Sequence, residues 1–336
     1  MIETHTTSSA TMQASVRDSY GEPAAVLSIA SVARPVPHAE QVLVRVHAAA
    51  VTIGDHHLVT GKPYLIRLTP FGGFPRPRHA TGGLGLAGVV EAVGSAVTGF
   101  RVGDAVFGEA AAFGAWAEYV VVGTQVLAHK PASLSFEQAA TLPWAATALQ
   151  GLRDVGALVA GKRVLILGAS GGVGSWAVQL AKVLGAEVTG VCSTRNLDYV
   201  RGLGADHVVD HTREDVTQRS EHWDVIFDLV GVHALAAVQA RLVDGGICVG
   251  CAGGGSDVFG PFPRMIGLLL RSLGSRRAMK PFMTKPNAAD LQLLATLADA
   301  GRIRAHIQRS VALEQLPEAL DEVGRGGVRG QIVVTP

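Results

Sequence analysis

Between Lys162 and Gly254 short β-branched runs alternate with amphipathic helical stretches, and that alternation constrains the fold more than any other feature of the chain. "VLILG" is followed by the helical run "VGSWAVQLAKVLG", then by "EVTGVC", "RNLDYVRGLG", "HVVD", "WDVIFDLVG", "ALAAVQARLV" and "GICVGCAGG". Short apolar strands separated by helices predict a parallel sheet covered on both faces. At 336 residues the chain exceeds one ordinary core, so two domains are expected.

Upstream the rhythm differs. "QVLVRVHAAAVT" and "AGVVEAVG" read as strands, and "FRVGDAVFG" carries a tight "VGD" turn. The stretch "SFEQAATLPWAATALQGLRDVG" has helical spacing, with Ser135 as its N-cap and Glu137 in its first turn. Near residue 280 the pattern changes again, to a capped helix "KPNAADLQLLATLADAG" and a closing strand "RGQIVVTP". The expected division is therefore a first domain over 1–134, a sheet-and-helix domain over 135–279, and a return to the first domain over 280–336.

Composition narrows the function classes. Hydrophobic residues make up 48% and charged residues 17%, which describes a well-buried globular protein. The formal charge is +1 with no long single-sign run, so neither nucleic acid nor a membrane surface is expected as a partner. The apolar run "MIGLLL" is far shorter than the roughly 20 residues a bilayer crossing needs. The polar start "MIETHTTSSATMQ" has no apolar signal core and reads as a frayed tail on a cytoplasmic protein. Cys248 and Cys251 are separated by two residues of an apolar strand-like run, and with Cys192 the cysteine count is odd. Buried thiols are expected rather than disulfides.

The stretch "VLILGASGGVGSWAVQLAK" sets glycines between a strand and a helix. Gly171 and Gly174 fit A-x-G-x-x-G, with Ala169 in the first glycine position. Such a loop supplies a tight turn, close backbone approach to a pyrophosphate, and a helix N-terminus whose free N–H groups attract phosphate. Ser170, Gly171, Gly172, Val173 and Gly174 are thus candidate cofactor residues, with a merely tight turn as the alternative. The second strand ends "GVCSTRN", placing Cys192 where an NAD-binding acid would stand, followed by Ser193, Thr194 and Arg195. Two hydroxyls and a guanidinium suit a 2′-phosphate, so NADPH/NADP+ is expected over NAD(H).

These residues, with "AGVVEAVGSAVTGFRVGDAVFGE", "GAWAEYVVV", "KPASLSFEQAATLPWAATALQGL", "LGADHVVDHTRED" and "RGQIVV", resemble the medium-chain dehydrogenases/reductases, in their zinc-free quinone oxidoreductase branch. The resemblance covers roughly residues 13–336. It implies a GroES-like β-barrel domain built from both chain ends around a Rossmann doubly wound parallel sheet, and allows a homodimer. It also places His211 where relatives complete the 2′-phosphate site, Thr147 at the nicotinamide, and Leu229, Gly231, Phe282 and Gln331, with the "GCAGG" loop, along its lining.

Against the same family, Thr52 stands at the first catalytic zinc-ligand position and Leu84 at the second, while no cysteine lies between Gly103 and Lys130. No metal is expected, since zinc needs three or four N, S or O ligands. His38, His47 and His79 are expected as surface or packing residues. Asp55 and His57, in the loop "VTIGDHHLVTG", are the catalytic candidates. Asp55 matches an aspartate that zinc-free relatives keep, with local turn bonding as its alternative. His57 matches a proton-relay histidine, with a bland solvent-facing loop as its alternative, because Gly54 replaces the hydroxyl residue that would feed it. The expected activity is NADPH-dependent hydride transfer to a small-molecule quinone or α,β-unsaturated carbonyl. A pathway-dedicated enoyl reductase and an NADPH-binding sensor or structural protein without turnover remain open.

Overall fold

The structure, a computed structural model, describes residues 10–251 and 256–336. Six strands form one parallel sheet in the spatial order His207–Asp210, Glu187–Cys192, Arg163–Leu167, Trp223–Asp228, Leu242–Gly250, Ala278–Pro281. Numbered along the chain that order is 3-2-1-4-5-6, the Rossmann arrangement. It reverses between Arg163–Leu167 and Trp223–Asp228, so the crevice beyond their carboxyl ends is the expected ligand position. The helices hold to the sheet by apolar faces. In Gly172–Val183, Trp176, Ala177, Val178, Leu180 and Ala181 are buried, each large side chain contributing about 1.5–3 kcal/mol of transfer energy.

The second sheet has seven strands in the barrel half of the molecule. Gln41–Val51 lies at its centre, pairing antiparallel with Gly85–Val93, Tyr119–Gly123 and Gln331–Thr335. Ala105–Glu109 and Leu127–His129 extend it on one side, and Ile307–Ala312 on the other. The strands after residue 306 therefore rejoin the sheet begun before residue 52. Between them, helix Ala288–Asp299 buries Leu291, Leu294, Ala295 and Ala298 in a core shared with Ala48, Ala87 and Phe107 of the barrel and Ile166 and Phe227 of the parallel sheet. Strand Ala278–Pro281 runs across the expected division at residue 279.

Three local expectations are corrected. The stretch after Ser135 is not one helix. Ser135 does cap Phe136–Ala139 through a reciprocal capping box with Gln138, but Pro143 begins a separate helix, Pro143–Gln150. A proline lacks the N–H that a continuous helix needs and is tolerated in a first turn. The run "ALAAVQARLV" ends as helix at Ala240, and Leu242–Val243 already belong to the next strand. The run "VTIGDHHLVTG" is no loop: Ile53–Thr60 is a helix, ended by Gly61 at φ 64°. The alternation of polar and apolar residues there hid a capped helix end to end.

Candidate functional site

The glycine loop sits at the sheet's switch point. Its left-handed turn falls on Gly168, at φ +87°, one residue before the position the A-x-G-x-x-G reading gave to the turn. A Cβ on Gly174 would overlap the carbonyl oxygen of Gly168, so the absent side chain lets the helix start against the strand. A Cβ on Gly171 would meet only that same oxygen, at 3.6 Å, which leaves open space over the helix N-terminus. Ser170, Gly172 and Val173 complete this turn, and Ser170 Oγ accepts a hydrogen bond from Asn196 at 3.1 Å.

Beyond the loop, Ser193, Thr194, Arg195 and His211 line one cavity of about 470 Å³, within the range of small-molecule sites. All four are among the residues expected to bind the cofactor from the sequence. Thr212, beside His211, lines it too, and Arg325, Gly326 and Gly327 close it from the returning chain; none of these four is a sequence-level candidate, although the glycine-spaced arginines of "RGGVRG" were an available signal for the last three. No carboxylate is among the lining residues. Asp210, at the end of the neighbouring strand, is turned inward: Thr194 Oγ1 donates to one of its oxygens at 2.5 Å and Thr212 Oγ1 to the other at 2.7 Å. These bonds hold its carboxyl below the usual range, and they commit the Thr194 hydroxyl proton to Asp210. Cys192 is buried, and burial pushes its thiol up to about 11, so it is neutral. A 2′-phosphate placed here meets donors and cations.

The return loop clamps the rim. Arg195 Nη2 donates to Gly327 O at 2.9 Å, Arg329 Nε to Asn196 Oδ1 at 2.6 Å, and Gly330 N to Ser170 O at 2.9 Å. Gln331 then enters its strand buried, with its side chain 3.1 Å from where a Cβ on Gly172 would lie. In the amide orientation that satisfies its neighbours it donates to Thr141 O and accepts from Trp144 Nε1, each at 3.3 Å.

The other expected lining residues are distributed around the switch point. Leu229 follows the strand Trp223–Asp228 and donates its N–H to Leu167 O. Gly231 adopts φ +73° and donates to Asp228 Oδ1 at 2.8 Å. Phe282 N bonds Gly250 O, and Thr147 Oγ1 accepts from Thr284 Oγ1 at 2.6 Å. Part of the "GCAGG" loop lies outside the described residues.

Asp55 is buried as the third residue of its helix. Its Oδ2 accepts from Thr52 N at 2.9 Å and from Thr52 Oγ1 at 2.7 Å, while Asp55 N donates back to Thr52 Oγ1. Oδ1 has no partner and borders a small cavity shared with Arg17, His79 and Trp116. Burial pushes its carboxyl up to about 6 against the Thr52 bonds and the Arg17 charge. His57 is half-buried in the last helical turn. Burial and the neighbouring His56 lower its proton affinity, and the Lys62 backbone opposes them. Among the described residues no hydrogen bond or ring contact joins its ring to the residues around Arg195.

The zinc-ligand positions offer no such set. The Thr52 hydroxyl is engaged in the helix cap, Leu84 has no donor atom, and among the described residues no three His, Cys, Asp or Glu side chains converge. Zinc does not fit these residues. His47 instead stacks on Phe136 with ring centroids 4.3 Å apart, and His79 lies 4.8 Å from Phe113.

The chain matches the family model of the alcohol dehydrogenase GroES-like domain over residues 38–132 and that of the zinc-binding dehydrogenases over 203–334. A mouse mitochondrial NAD(P)H oxidoreductase, RTN4IP1, is 34% identical over 99% of this chain and 91% of its own length. The chain belongs to the medium-chain dehydrogenase/reductase family, in its quinone-oxidoreductase-like branch. An NADPH-dependent alkenal/one oxidoreductase of Arabidopsis thaliana chloroplasts is 38% identical over 66% of this chain and 58% of its own. The solved quinone oxidoreductase of Coxiella burnetii superposes with a TM-score of 0.84 at 29% identity, covering 97% of this chain and 99% of that one. The barrel is thus the GroES-like domain of this family, the parallel sheet is its Rossmann domain, and the chain is an NAD(P)H-dependent reductase. Among the described residues no helix is long and apolar enough to cross a membrane.

Proposed function

We propose that the chain is a zinc-independent reductase of quinones or α,β-unsaturated carbonyls that uses NADPH. The carrying observation is the cavity at the end of the second sheet strand, where Arg195, His211 and Arg325 gather with no carboxylate among the lining residues. Ser170 to Gly174 would hold the pyrophosphate on the helix N-terminus. Ser193, Arg195 and His211 would hold the 2′-phosphate, and Thr147, Leu229, Gly231, Phe282 and Gln331 would line the nicotinamide. When bound, NADPH supplies the hydride.

Thr52 and Leu84 leave no ligand set to polarise an alcohol oxygen, so the residues suit acceptors that hold electrons without a Lewis acid. The enone and quinone specificities in the names of two relatives support that class. What the protein contributes is position and exclusion of water.

A second copy completes the assembly we propose. Strand Ala278–Pro281 ends the parallel sheet with one edge unpaired among the described residues. Helix Phe262–Ser272 beside it exposes Ile266, Leu269 and Leu270, a face an open edge does not leave in water without a partner.

The test is a panel of quinones and enones assayed with NADPH and NADH, alongside cofactor binding by fluorescence. NADPH oxidation coupled to reduction of at least one acceptor is expected. Tight NADPH binding with no turnover across the panel would sink the enzymatic reading in favour of a sensor.

A further inference from the structure

The reduction needs a proton as well as a hydride, and an unassigned carboxylic acid stands where the two halves of the molecule meet. Strand Ala105–Glu109 pairs antiparallel with Gly85–Val93, setting Ala87 opposite Phe107 and Gly85 opposite Glu109. Residues directly opposed in an antiparallel pair share a face, and so do residues two apart on one strand. Ala87 and Phe107 are wholly buried in the core shared with the helices of residues 136–150, whereas Val106 belongs to the barrel interior. Glu109 therefore lies on the row that faces the junction between barrel and parallel sheet.

That row ends against the Trp144 indole, with no room for a side chain at Gly85. A Cβ on Gly85 would stand 3.0 Å from Trp144 Nε1 and 3.1 Å from Ala140 O. The same indole N–H reaches Gln331, whose side chain abuts Gly172 at the start of the dinucleotide helix. Glu109 is only partly buried, so water can restore its proton. Among the described residues no hydrogen bond or ion pair engages its carboxyl, and burial alone pushes it up to about 7. The elements packed on the row present Gly85, Ala87, Ala128, Ala140 and Trp144, none of which titrates.

We infer that Glu109 is the acid that protonates the reduced acceptor. The role rests on the reductase reading above. In an enone, hydride arriving at the β-carbon brings two electrons and leaves an enolate. The O–H bond of Glu109 breaks as a C–H bond forms at the α-carbon, and the remaining carboxylate takes a proton from water. An acid poised near neutral pH suits both halves of that cycle. Asp55 is less free for the task, because its Oδ2 is held by Thr52.

The experiment compares wild type with Glu109→Gln and Glu109→Asp, using an α-substituted cyclic enone in D₂O. Wild type should deuterate one face of the α-carbon, with kcat falling as pH rises through about 7. Glu109→Gln should lower kcat by about a hundredfold, lose both the facial preference and that pH limb, and bind NADPH within about twofold of wild type. Glu109→Asp should keep the limb at a reduced rate. Independently of turnover, the stability difference between Glu109→Gln and the cofactor-free wild type should grow in the variant's favour as pH rises from the ordinary glutamate range through about 7, because the unfolded chain releases the Glu109 proton first. A Glu109→Gln enzyme within about threefold of wild type, with facial preference intact, would place the donor elsewhere. A wild type that binds NADPH yet reduces no enone or quinone overturns the reductase reading and this role with it, whatever the stability titration gives.

Discussion

Arg195 Nη2 donates to the carbonyl oxygen of Gly327 across 2.9 Å, so a cavity-lining side chain is aimed by the loop that returns to the barrel. The same guanidinium lines the cavity proposed for the 2′-phosphate. Arg195→Ala should weaken NADPH about tenfold, roughly 1.4 kcal/mol, and leave NADH within about twofold. Titrations of both cofactors with wild type and variant check this. Equal weakening of the two would make Arg195 a structural clamp only.

Gly327 itself is testable from the other side of that bond. It adopts φ +83°, and an added Cβ would overlap Arg195 Nη2. Gly327→Ala should cost about 1 kcal/mol or more of stability, because its backbone conformation is strained for any L side chain. It should also displace the guanidinium and lower the NADPH-to-NADH affinity ratio toward that of Arg195→Ala. A variant with wild-type preference would show that the loop does not set the arginine.

Much of the fold was legible because its signals are local. The strand–glycine–helix stretch at 163–183 carries its own turn chemistry, and "STRN" carries its own charge. What escaped depended on contacts far along the chain. Arg325 reaches the cavity only because residues 331–335 pair with Gln41–Val51, and no local pattern encodes that register. Glu109 is an unremarked acid in a strand until Gly85 is set opposite it. The helix at 53–60 looks like a loop in the sequence because its hydrophobic pattern is weak; the Thr52–Asp55 capping box and Gly61 hold its ends instead.

Metal content follows from the donor atoms. With Thr52 engaged in a cap and Leu84 at the other ligand position, purified protein should carry less than about 0.1 zinc per chain, and a chelator should leave its activity unchanged. Elemental analysis finding about one zinc per chain would force a different ligand set.

The capping carboxyl should make stability depend on pH. Asp55 titrates at about 6 in the folded chain, above its ordinary 3.8. Below about pH 4 both states hold the proton, and stability is unaffected. As pH rises toward 6 the unfolded chain releases its proton first, so Asp55's contribution to stability falls by on the order of 3 kcal/mol and then levels. Asp55→Asn keeps a carbonyl to accept from Thr52 N and removes the titration. The difference between variant and wild type, followed by urea unfolding from pH 4 to 8, should therefore grow in the variant's favour across that window. A constant difference would show that Asp55 ionises at its ordinary value.

His57 closes the set, since it competes with Glu109 for the proton. Burial and His56 lower its affinity for a proton, so at neutral pH the ring is mainly the neutral form, a poor acid. The His56 ring lies 6.1 Å away at a steep angle, and among the described residues no hydrogen bond links the His57 side chain to the junction. His57→Gln should accordingly keep kcat within about threefold of wild type and leave the pH limb where it is. NADPH affinity should be unchanged, because the residues of the cavity proposed for its 2′-phosphate are elsewhere. A fall of about a hundredfold, with loss of the pH limb, would make His57 the acid. Glu109 would then be a partly buried carboxyl without a catalytic part.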